Sequence, residues 1–141
     1  MVAKVSYDDV EVGTALPTLT FPVQRINLVQ YCGASGDFNI IHWNEATAKL
    51  VGLPDVIAHG MFTMASAGRV VTDWARDPGA VVAYGTRFSS PVVVPDAGGT
   101  TVEVSGEVTD KLDGRRVVVT LTAKCGGSNV LSGARATVQL S

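Results

Sequence analysis

Asp37 and His42 stand five residues apart in SGDFNIIHWN, residues Ser35 to Asn44. The segment is too rich in Gly and Asn to make an ordinary helix. An imidazole titrates near neutral pH, and a carboxylate beside it can orient the ring or hold a water, so the pair suits acid–base chemistry. The chain has only two histidines, His42 and His59. Taken singly, a turn aspartate usually bonds backbone amides, and a lone histidine is more often structural. Together, in an irregular segment between two helical patterns, they read as a site carried on a loop. Covalent catalysis finds less support. Ser35 precedes Gly36 without a G-x-S-x-G elbow around it. Cys32 lies one helical turn earlier and has no evident base.

A second stretch, AHGMFTMAS (Ala58–Ser66), runs from irregular chain into a helical pattern with Gly60 in its first turn. The Gly60 amide would lack an intrahelical acceptor and would sit at the positive end of the helix dipole. Glycine also lets a ligand carbonyl approach the backbone closely. One such oxyanion donor is worth roughly 3 kcal/mol in a transition state. The other reading is a tight helix entry with His59 as a polar cap. The residues by themselves leave both open.

These groups need elements to hold them. INLVQYCGASG places Leu28, Val29 and Cys32 at near-helical spacing and stops at glycines, and WNEATAKLVG is a short helix ending at Gly52. MFTMASAGRVVTDWA is the longest helical pattern. It carries Met61, Met64, Ala65, Gly68, Val71 and Trp74 on more than one side, which predicts a helix buried nearly all round. Arg69 within it must then reach solvent, a partner or a ligand phosphate.

From Ala80 the chain turns β-like. VVAYGTRFSSPVVV, TTVEVSGEVTD, RRVVVTLTAKC and LSGARATVQL are separated by Gly/Asp/Pro clusters and predict four strands. A strand near ALPTLTFPV raises the count to about five. The expected fold is α+β, an antiparallel sheet wrapped around a long central helix. No repeat or linker interrupts the chain, so residues 1–141 read as a single domain.

Composition narrows the function. Hydrophobic residues make up 46% of 141 and the mean hydropathy is +0.26, which excludes disorder and leaves apolar surface for a subunit interface. The net charge is −2, from 11 basic and 13 acidic residues without a basic stripe, which argues against nucleic acid. Cys32 and Cys125 are isolated, so neither a disulfide framework nor a metal site is expected. The opening residues lack a signal-peptide core and no run is long enough to span a membrane, so a cytoplasmic protein is expected.

Joined, the two motifs resemble a known family. Tyr31, Ser35-Gly36-Asp37, Asn39, His42 and Ala48 read like the hydratase motif of the MaoC-like, (R)-specific enoyl-thioester hydratases and dehydratases. AHGM resembles the oxyanion segment preceding their central helix. The resemblance covers nearly the whole chain. Within the family, IHWN, VGLPDVIAHGM and RDPGAVVAYGTRF are similar in wording to the β subunit of the mycobacterial-type (3R)-hydroxyacyl-ACP dehydratase. One position departs: the family usually has proline after the motif asparagine, and this chain has Ile40.

The resemblance implies a hot-dog fold. Asp37 and His42 would be the catalytic pair and the Gly60 amide the oxyanion donor, with Asn39, Ser35 and His59 supporting the loop near the substrate. The implied reaction is reversible dehydration of (3R)-hydroxyacyl thioesters, on acyl carrier protein or coenzyme A, in fatty-acid elongation of the type II or mycolic-acid kind. It needs no cofactor or metal. The implied assembly is a dimer, either of two identical chains or with a second hot-dog subunit. Three other functions share the fold. One is an enoyl-CoA hydratase of β-oxidation or polyester supply. The others are a thioesterase, whose relatives generally lack the D-x-N-x-x-H pattern, and a non-catalytic lipid-binding or stabilising subunit, in which loss of Asp37 or His42 would be expected.

Overall fold

The computed structural model describes residues 5–141. Five strands form an antiparallel sheet in the order β1 (Ala15–Val23), β3 (Thr100–Leu112), β4 (Arg116–Cys125), β6 (Leu131–Gln139) and β2 (Val81–Phe88). A two-residue strand, β5 (Ser128–Asn129), pairs with β4. The inward faces read as the alternation demands: Val102, Val104 and Val108 on β3, Val117 and Val119 on β4, Ala136 and Val138 on β6. The helix α3 (Gly60–Ala75) packs against them. This is the hot-dog arrangement.

The central helix differs from expectation in one respect. It buries a single stripe, Thr63, Ala67, Val70, Val71 and Ala75, at three- and four-residue spacing. Met61, Ala65, Arg69 and Asp73, each four residues apart, form an exposed stripe. Small apolar residues made the pattern look apolar all round, because Ala and Gly carry little information about which side faces in. Arg69 therefore lies in solvent, 3.7 Å from Asp73 and over the Phe21 ring. Tyr84 on β2 donates to the Met64 carbonyl at 2.9 Å and ties the edge strand to the helix. Burial pushes its phenol up to about 12.

A second difference concerns Val92–Val94, which does not extend β2. Flanked by Pro91 and Pro95, it instead meets the segment before α3. Ala58 N–H donates to the Val92 carbonyl at 2.8 Å, and Val94 N–H donates to Val56 at 2.9 Å. Pro supplies no donor and restricts the residue before it, so a long ladder is interrupted here. The valines brace the entry to the central helix.

Candidate active site

The loop that carries the site hangs from α1 (Arg25–Ser35). Gly36 ends that helix in the left-handed region, at φ 75°, and its N–H closes on the Cys32 carbonyl. The chain then folds through local bonds. Ser35 Oγ donates to the Tyr31 carbonyl at 2.7 Å and accepts from the Asp37 amide at 3.2 Å. The Asn39 amide donates to Asp37 Oδ1 at 3.1 Å, and Asn39 Oδ1 accepts from Ile41 N–H. These bonds start a short 3-10 turn, Ile40–His42, which leads into α2 (Glu45–Leu50).

His42 is buried at the end of that turn. Its Nδ1 lies 2.6 Å from the Ile57 carbonyl. A carbonyl can only accept, so Nδ1 carries the proton and Nε2 is left with a free lone pair. Burial pushes the imidazole below its ordinary value of 6.5, and His59 nearby adds to the fall. The Ile57 bond and Asp37 pull the other way without cancelling it. The ring is thus a neutral base at physiological pH.

Ile57 is itself held. Arg25 Nη2 bonds Glu45 at 2.7 Å and Asp55 at 2.6 Å, while Nε donates to the Val94 carbonyl at 3.2 Å. Asp55 Oδ1 also accepts from the Val56 amide. One guanidinium therefore joins α1, α2, the Asp55–Ile57 segment and the valine brace. Sequence reasoning missed both the Ile57 carbonyl and Arg25. A main-chain acceptor leaves no residue signature, and an arginine at a helix start looks like ordinary surface.

His59 does not act as a polar cap. It occupies the residue before α3, yet its side chain makes no capping bond. Its ring turns back, and Nε2–H donates to the Asp37 carbonyl at 3.0 Å. It also stacks on His42, with centroids 3.6 Å apart and planes 23° apart. One carboxylate oxygen of Asp37 and a nitrogen from each histidine lie within 4.8 Å of one another. The rings are stacked nearly parallel and each commits one N–H to a carbonyl oxygen, so this geometry suits proton transfer better than a cation cage.

Gly60 opens α3 next to this pair. A Cβ there would meet the Phe88 ring at 2.9 Å, so a side chain at this position would force that ring to move. A cavity of about 300 Å³ adjoins it, lined by His42, Gly60, Thr63, Phe88, Ser90 and Val92 among others. Asp37 is exposed and lies outside this wall. Tyr31 packs its ring on His59 and Phe62.

A hot-dog sheet whose helix begins beside a paired Asp and His defines a class, and the sequence comparisons place the chain within it. Residues 9–125 match the MaoC-like domain, and the chain belongs to that family. It is 41% identical over 83 residues to the 3-hydroxyacyl-thioester dehydratase X of Mycobacterium tuberculosis, an alignment covering 59% of this chain and 29% of that protein. It is 32% identical over 131 residues to the 3-oxo-4,17-pregnadiene-20-carboxyl-CoA hydratase beta subunit of the same organism, covering 92% of this chain and 95% of the relative. A solved MaoC-like dehydratase superposes with a TM-score of 0.94 at 43% identity, over 96% of this chain and 42% of that one. The chain thus spans less than half the length of the first and third of these.

Proposed function

We propose that this chain, as one hot-dog domain across residues 1–141, is a hydro-lyase that interconverts (3R)-hydroxyacyl thioesters and trans-2-enoyl thioesters in the cytoplasm. The observation that carries the reading is His42 kept neutral by burial and fixed as the Nδ1–H tautomer by the Ile57 carbonyl, with Nε2 free and the Asp37 carboxylate close by. In dehydration the Cα–H bond breaks as a base takes the proton. Negative charge builds on the thioester oxygen, where the Gly60 amide at the helix start would receive it. The Cβ–O bond then breaks, the double bond forms, and the departing hydroxyl takes a proton to leave as water. His42 is the main proton-transfer group and Asp37 its partner. Hydration runs the same steps backwards through the same site. Asn39 and Ser35 hold the loop.

Names of the relatives support the class: one is a thioester dehydratase and another a CoA hydratase. The dehydratase direction, in fatty-acid elongation, is the role we favour, with the acyl chain on acyl carrier protein or coenzyme A. The functional unit is a dimer, of two such chains or with a second hot-dog subunit, as the beta-subunit name of one relative favours.

The test follows loss of enoyl absorbance with crotonyl-CoA and with a long-chain trans-2-enoyl-CoA. Wild type should turn over substrate, and Asp37→Asn and His42→Gln should each lose about 10²- to 10⁴-fold in kcat. Variants that keep wild-type rates would overturn the site. A wild type that stays inactive even with a second hot-dog subunit co-expressed would overturn the reaction.

A further inference from the structure

We propose that His59 is a positioning residue that locks the two proton-transfer groups to each other. The inference rests on the reaction proposed above and adds to it a residue outside the Asp37–His42 pair. His59 is 2% exposed, which is rare for a histidine unless its ring is satisfied. It is satisfied on one side only. Nε2–H holds the Asp37 carbonyl, whereas Nδ1 is buried without a partner. An orphaned acceptor costs stability, so packing alone does not explain the residue. Phenylalanine would give the same stack on His42 with no orphan. Glutamine would offer the Asp37 carbonyl a donor with no ring. Histidine is the residue that does both, fixing the backbone of Asp37 and the face of His42 with one side chain.

The groups facing the stacked rings are few. From α1 come Tyr31, with its ring centroid 4.8 Å from that of His59, and Cys32, whose Sγ lies 3.6 Å from Nε2. From the loop comes Asp37. The two imidazoles lie too close to carry two positive charges comfortably, so His59 also favours the neutral form of His42.

Two variants separate the roles. His59→Phe keeps the stack and loses the donor, and should lower kcat about 10- to 100-fold with a smaller change in KM. His59→Gln keeps a donor and should retain more of kcat, while the acid limb of its kcat/KM profile moves up as His42 loses its cover. If both fold and both hold kcat within about twofold of wild type, with the acid limb unmoved, the proposal is overturned. A third measurement needs neither variant nor turnover. Imidazole nitrogen shifts of the wild-type protein should show His59 as the Nε2–H tautomer at neutral pH, and an Nδ1–H tautomer would also overturn the proposal. An inactive wild type with the expected tautomer would count against the reaction and leave this geometry standing.

Discussion

A buried imidazole proposed as a base must be both neutral and correctly tautomeric, and at His42 one contact and its surroundings supply both conditions. The Ile57 carbonyl fixes the proton on Nδ1, and burial disfavours the cation. The consequence for pH has a definite sign. His42 has a lower proton affinity when folded than when unfolded, so the unfolded chain binds more protons below the ordinary value of 6.5. Its contribution to stability is full above that value and is lost as the pH falls from there through the lower value of the folded chain. The same depression places the acid limb of kcat/KM below 6.5. A pH–rate profile with parallel thermal melts checks both, and the two curves should weaken toward the same acid side.

At the scale of elements, the site depends on α1 because the loop begins where that helix ends. Leu28 anchors the helix in the core with no exposed surface. Leu28→Ala should cost roughly 2–5 kcal/mol through lost burial and a residual cavity. Denaturant unfolding would measure the loss, with the midpoint moving and the slope preserved. Much at this scale was legible in the sequence. The strand ALPTLTFPV and the glycine that stops α1 both announce themselves locally. So does the Asp-x-Asn-x-x-His spacing, because turn chemistry and alternation are short-range. What stayed hidden was long-range. The partners of Val92–Val94 lie before α3, and alternation says that a run is extended without naming its partner. The return of His59 to Asp37 spans 22 residues, and its place before a helix suggested a cap instead. Which side of α3 faces in was obscured by its alanines and glycine.

The molecule as a whole leaves apolar surface uncovered. Phe38 is 63% and Trp43 48% exposed in the segment that carries Asp37 and His42, and Val82 and Phe88 lie exposed on the edge strand β2. Among the described residues no helix is long and apolar enough to cross a membrane. The proposed assembly has a direct test in sedimentation. The particle should exceed the 14.7 kDa of one chain, either alone or after mixing with a second hot-dog subunit. Protection of the Trp43 indole from quenchers should rise with assembly.

The partner of His42 Nδ1 is a peptide oxygen, and that choice limits how the site can move charge. A peptide oxygen accepts a hydrogen bond but is far too weakly basic to keep a proton. The ring therefore cannot hand its Nδ1 hydrogen onward while Nε2 picks one up, and no wire leads from this base into the protein. In the proposed reaction, each proton that His42 takes must leave by the face it entered. Rates in mixtures of light and heavy water should then fall along a straight line with deuterium content at the step His42 performs, as one exchanging hydrogen requires. A bowed line would mean that several hydrogens move together.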